Sequence, residues 1–324
     1  MPDVLPGRIF GLAPVQVTGS APTTIDGLSS LQINNGLNRI VHSADGEVDP
    51  KFSTTAFNEP RIRFRTCALK TVLDLAILGR SIPDSTIITA LNFFFRQRAP
   101  GSTYQPASLA HCKFALTKGI LIPVQLRGTH PNIVECECEG VAVSDAGNAP
   151  LSFDAGQTLP NFTPVADVGA LWTVGPVYIN GELLENIFDI TVDFGIELEL
   201  MQGSGFPWPT QVSIKSRMPK ITLTTKNIEA LDKDAAALAI AAVGQPQSGV
   251  CSVFFRKKLQ GGANVPDGTT GHIKIKLFQC DITWTDVAGQ HPESPTATIV
   301  ITPTKDDDIN EILAINTSTI INDT

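Results

Sequence analysis

Residues 28–66 and 187–225 align without a gap at an offset of 159. At that offset Gly36 falls on Gly195, Gly46 on Gly205, Pro50 on Pro209 and Pro60 on Pro219, which accounts for every Gly and Pro of the first stretch. Glycine and proline fix the backbone where a chain turns, so matched punctuation predicts matched turns. The apolar pattern follows: Leu31 with Ile190, Ile33 with Val192, Ile62 with Ile221, Phe64 with Leu223. Further on, Phe94-Phe95-Arg96 matches Phe254-Phe255-Arg256, and His111-x-Lys113-x-x-Leu116 matches His272-x-Lys274-x-x-Leu277. The offset drifts to 160 and then 161, as loop insertions would cause. A repeat on this scale predicts two similar halves, and 324 residues have room for two ordinary domains. They are expected over 1–168 and 169–324, with the linker within 161–175.

Each half reads as strands plus one helix. Phe188, Ile190, Val192 and Phe194 alternate with Asp189, Thr191 and Asp193, the period of a half-buried antiparallel strand. The alternation is expected to run on through Ile196, Leu198 and Leu200, which would set Asp189, Asp193, Glu197 and Glu199 on one face. Turn-rich excursions follow at 44–60 and 203–219, each leading into an alternating strand, Arg61 to Arg65 and Lys220 to Thr224. Thr66 and Thr225 then stand where a hydroxyl can cap a helix. Leu69, Val72, Leu73 and Ala76 recur at helical spacing in one half, and Ile228, Leu231, Ala235, Leu238 and Ala242 in the other. Residues 1–27 read as an extended arm and 304–324 as a polar tail.

Composition narrows the function classes. A net charge of −8 argues against a surface that grips nucleic acid by neutralising phosphates. The six cysteines show no disulfide framework and read as reduced thiols. No basic, apolar leader is expected at the start, and the longest apolar run, Ala235 to Val243, is too short to cross a membrane. No phosphate loop, nucleophile elbow or His-Glu-x-x-His pattern occurs. Cys136-x-Cys138 lacks the second ligand pair that a structural zinc site uses, and a buried strand face explains it. His111 and His272 read as structural residues at strand starts. No catalytic residues, metal ligands or cofactors are assigned.

At this point the order of elements resembles a known family. Strand, projecting excursion, strand, single helix and further strands is the layout of the major tail tube proteins of long-tailed bacteriophages. The segments Asp45-Gly46-Glu47-Val48-Asp49-Pro50 and Glu59-Pro60-Arg61-Ile62-Arg63-Phe64 carry the likeness, which is one of layout and covers nearly the whole chain, once per half. The resemblance implies a mainly β fold of two tandem tube domains, β-sandwich or barrel-forming sheets with one helix per half. It also implies a structural virion protein without enzymatic activity, forming trimeric rings with pseudo-sixfold symmetry that stack into a tube. The partners it implies are further copies of the chain, a tape-measure protein, tail terminator and distal tail proteins, and double-stranded DNA passing through the lumen without specific binding. Assembly in the host cytoplasm, a place in the virion tail and no membrane contact go with that reading. Asp189, Asp193, Glu197 and Glu199 are the lumen candidates, and Asp45, Asp49, Phe52, Phe206 and Trp208 are the candidates for contact between rings. Two rival readings are a tandem β-sandwich binding module for a receptor or glycan, and a metal hydrolase built on the Cys/His set.

Overall fold

A computed structural model describes residues 9–20, 22–42, 49, 52–84, 87–98, 110–162, 170–203, 205–231, 247–259, 262–290, 294–305 and 311–322. The chain is mainly β. The first half opens with β1 (Phe10–Leu12), β2 (Val15–Thr18), β3 (Thr23–Ile25) and β4 (Leu28–Asn34). A hairpin of β5 (Leu37–His42) and β6 (Phe52–Asn58) precedes β7 (Arg61–Thr66), α1 (Leu69–Ala76) and β8 (Arg80–Ile82). The half closes with β9 (Ala90–Gln97), β10 (His111–Leu116), β11 (Gly119–Thr129), β12 (Glu135–Ala142) and β13 (Leu151–Gln157). The second half runs β14 (Leu171–Ile179), β15 (Glu182–Leu184), β16 (Ile187–Asp193), then a hairpin of β17 (Ile196–Gln202) and β18 (Pro209–Arg217). It ends with β19 (Lys220–Thr225), β20 (Gln247–Lys258), β21 (His272–Ala288), β22 (Thr296–Pro303) and β23 (Ala314–Thr319).

The halves repeat each other down to their irregularities. β4 pairs with β7 from Leu28↔Thr66 to Asn34↔Arg61, and β16 with β19 from Ile187↔Thr225 to Asp193↔Lys220, both with a bulge after the first pair. The two hairpins share one register and one bulge, at Asn38/Arg39 and at Glu197/Leu198. Gly36 and Gly195 both hold positive φ, where a Cβ would lie about 2 Å from the carbonyl oxygens of Glu59 and Met218. His111 and His272 are buried, and each accepts through Nδ1 a bond from a backbone N–H, of Gln97 and of Lys257 respectively. Thr66 and Thr225 each donate to a carbonyl 40 residues back and accept from the amide two residues on.

The sheets of the two halves differ where strands of the first run on as single strands in the second, as β14 does for β1 and β2. In the first, β10 and β11 are separate strands: β10 belongs to a sheet ordered β13-β10-β9-β2-β3, and β11 to the large sheet. In the second, the single strand β21 runs through both positions and merges them. The large sheet is therefore ordered β15-β14-β20-β21-β22-β19-β16-β11-β12-β7-β4 and crosses from one half to the other at β16–β11. Its covered face supplies the core: Ile62, Phe64, Leu126, Cys136, Ile190, Val192, Leu223 and Ile299 are all buried. Phe64 reaches across to Phe93 of the facing sheet at 5.7 Å between ring centroids. Each such side chain contributes about 1.5–3 kcal/mol when fully withdrawn from water. α1 covers β11 and β12 with Leu69, Val72 and Leu73, and the hydroxyl of Thr317 on β23 donates to Asp74 of that helix.

Several expectations change. The described part of 1–27 is three strands, because Val15, Val17 and Ile25 are core residues. Ala314–Thr319, read as part of a polar tail, pairs with β21 as β13 pairs with β10. In place of the start of the second helix stands a single 3-10 turn, Ile228–Leu231; the rest of it, 232–246, lies outside the described residues, as do linker residues 163–169. Among the described residues no helix is long and apolar enough to cross a membrane.

Candidate assembly interface

The joint between the halves is an edge-to-edge sheet contact. β11 and β16 pair antiparallel from Gln125↔Asp193 to Thr129↔Asp189. The ladder continues beyond both strands, with His130 N–H donating to the Phe188 carbonyl and Phe194 N–H to that of Val124. Trp172 and Leu126, 1% and 0% exposed, lie beneath it. The hairpin β17–β18 then folds back onto the first half. Ile196, Leu198, Leu200, Val212 and Ile214 pack on Ile120, Ile122, Val124 and Val141. Gly79 makes room for Ile214, whose Cδ1 lies 2.6 Å from where a Cβ would stand. The hairpin tip is tied by Asn58 N–H to the Pro207 carbonyl (2.8 Å) and Ser144 N–H to that of Pro209 (2.7 Å).

Two strand edges elsewhere in the large sheet leave the matching surfaces open: β4 at one end, and the last residues of β21, beyond the reach of β20. Among the described residues β4, the counterpart of β16, pairs with β7 alone, and 286–288, the counterpart of 125–127, pair only on their β22 side. Residues buried at the internal joint have exposed counterparts here. Val287 stands for Leu126 and is 45% exposed; Phe10 stands for Trp172 and is 37% exposed. Gly128, where Val174 packs close, is matched by Gly289. A free strand edge with apolar side chains beside it is a template for another strand.

The four acidic candidates do not share a face. β16 ends at Asp193, because Gly195 at φ 53 turns the chain into the separate hairpin. Asp189 and Asp193 lie on the uncovered face of the large sheet: Asp189 accepts from the Thr129 hydroxyl, Asp193 from the Gly195 N–H at 2.9 Å. Glu197 and Glu199 lie on the solvent side of β17, where Lys215 (2.8 Å) and Ser216 (3.0 Å) hold the Glu197 carboxyl below its usual range. Beside the two aspartates stands a ladder of charge. Arg61 and Arg63 both grip Glu139, at 2.6 and 2.8 Å, and Arg65 grips Glu137 at 2.8 Å. With Arg127, Lys220 and Glu135 in register, the strands from β7 to β19 carry five cations and five carboxylates, and the same face continues across β22 to Asp281 and Asp286 of β21. Its centre is balanced, and its β21 margin is acidic. The signal was legible in two alternating charged strands, Arg61 to Arg65 and Glu135 to Glu139, but their pairing joins residues more than 70 positions apart.

The excursion residues separate too. The ring of Phe206 lies on Gly147 of the first half, at 2.3 Å from where a Cβ would stand, so it serves contact within the chain. Trp208 is half-buried beside it and Asp49 is exposed. Phe52 begins β6, with its side chain outside the described residues, and Asp45 lies wholly outside them. Cys136 and Cys138 sit buried with their sulfurs 3.5 Å apart, and among the described residues no three His, Cys, Asp or Glu side chains gather as a metal site would require. No protein-family model matches the chain, and no curated protein is similar to it.

Proposed function

We propose that this chain is a structural subunit that polymerises with itself, the tail tube subunit of a long-tailed phage, in rings of three copies that stack into a hollow conduit. The observation that carries the reading is the pair of strand edges, β4 and the end of β21, left without a partner among the described residues on either side of the same joint made internally. Each copy offers the β4 edge to one neighbour and the 285–290 edge to the other. Such a heterologous contact generates rings when the rotation closes and filaments when it does not. The uncovered face, with Asp189, Asp193 and the Arg–Glu ladder, lines the channel, since the core occupies the other face. The paired charges at its centre offer a DNA phosphate no net cation to bind. Tape-measure, terminator and distal tail proteins are the partners of this reading, which includes no chemical step, cofactor or membrane.

The internal register transfers directly, placing Asp286 opposite Asn34, Val287 opposite Ile33 and Ala288 opposite Gln32 of the neighbour. Ala288 and Gln32 then form a pair without mutual backbone bonds, in which the Cα atoms stand about 4.5 Å apart, within disulfide reach. The double variant Gln32→Cys, Ala288→Cys is expected to give an oxidised ladder ending at a closed trimer, with tubes or rings visible by negative-stain microscopy. Each single variant controls for the chain's own thiols. A protein that stays monomeric and uncrosslinked at high concentration sinks the proposal.

A further inference from the structure

We infer that the β5–β6 hairpin docks on the β21–β22 face of the adjacent copy, and that this dock is ionic where its internal equivalent is apolar. The inference rests on the head-to-tail reading and adds a second contact to it. Inside the chain, β17–β18 covers β11–β12 with apolar residues on both sides. The free equivalents have changed on both sides together. Leu198, Val212 and Ile214 of the docked hairpin become Arg39, Ser53 and Thr55 on the free one, at identical register positions. Ile120, Ile122 and Val141 of the receiving sheet become Asp281, Thr283 and Thr302. Two surfaces that changed class in step are complementary only if they still meet, and within one chain the β5–β6 hairpin follows β4, with five strands of the large sheet between β4 and β22.

The charges fit. Leu198 lies beside Ile122, Pro123 and Val124, so Arg39 falls on Thr283, Trp284 and Thr285, with Asp281 and Asp286 on either side along β21. Arg39 is exposed and Asp281 half-exposed, and neither has an ion-pair partner among the described residues. Leu37 and Val41 flank Arg39 at 51% and 54% exposure, where Ile196 and Leu200 flank Leu198 in the covered hairpin. The physical reason for the exchange is that the internal dock forms once, during folding, and is never presented to solvent. The intermolecular dock must stay soluble before assembly, and an apolar patch of that size would associate without register. Charge fixes which surfaces meet.

The test is a charge swap on the full chain, read by sedimentation and by the Gln32/Ala288 cross-link. Arg39→Asp and Asp281→Arg are each expected to weaken association about tenfold or more at low salt, and the combined variant to recover most of it. Wild-type association is expected to weaken as salt rises from about 0.05 to 0.5 M, as the screening length shortens. Single variants without effect, or a combined variant that fails to recover while circular dichroism shows it folded, overturn the dock. Loss of the cross-link in the otherwise wild-type chain overturns the assembly reading itself, so the two failures are distinguishable.

Discussion

Replacing Val287 by Lys isolates the edge contact from the fold. Val287 sits on β21 in the register position of Leu126, which is fully buried at the internal joint, yet Val287 is 45% exposed. Completing the burial of a half-exposed Val is worth about 0.8 kcal/mol, roughly half of the 1.5–3 kcal/mol for a whole aliphatic side chain. Lys forfeits that term and must either bend its ammonium out of the joint or desolvate it, and an edge Lys is a natural device against strand pairing. The combined loss is about 2–3 kcal/mol per joint, or roughly 30- to 150-fold in each association constant. Val287→Ala, which loses only apolar area, is expected to cost a few-fold. Because the residue is half-exposed in the isolated chain, unfolding of the monomer should shift by less than about 0.5 kcal/mol. Sedimentation velocity over a concentration series, with thermal melts alongside, reads both quantities. If Val287→Lys assembled like the wild type, the 285–290 edge would not be a joint; if it unfolded the monomer, Val287 would be a core residue and the comparison with Leu126 void.

Three further outcomes follow from the same geometry. Glu139→Gln removes a buried carboxylate held by two arginines, and since Arg61 and Arg63 are 36% and 52% exposed the buried-pair cost is discounted to about 1–2 kcal/mol, read as a lowered denaturant midpoint. Gly195→Ala places a Cβ 1.9 Å from the Met218 carbonyl oxygen at positive φ; it should cost about 2 kcal/mol or more and loosen the 196–217 hairpin, measurable as faster proteolysis there. Burial pushes the thiols of Cys67, Cys138 and Cys251 up, and that of Cys280 up to about 12, so native protein at neutral pH should label first at the half-buried Cys112. The folded state holds those protons where the unfolded chain has lost them, so stability falls as pH climbs from about 9 towards 12; a flat alkaline profile would contradict the burial.

Much of the fold was legible before any coordinates. The Gly and Pro positions shared by 28–66 and 187–225 marked the turns, because glycine takes positive φ without steric cost and only a residue lacking Cβ fits the close approach of Gly36 and Gly195 to a carbonyl. Period-two alternation marked β7, β16 and β19, and helical spacing marked α1, because both follow from which way successive side chains point. These are local properties, and a sequence states them directly.

Partnership between strands is a different matter. That Ala314–Thr319 is an edge strand, that β17 leaves the line of β16, that Phe206 rests on Gly147 and that Glu139 lies between Arg61 and Arg63 all depend on residues distant in the chain arriving side by side. No period or punctuation encodes that. The sequence determined by itself that two β-rich halves repeat one plan. Only the tertiary structure decided that one large sheet runs through both, joined at β11–β16 and with the matching edges of β4 and β21 unpaired among the described residues, because backbone pairing is satisfied between strands and not along them.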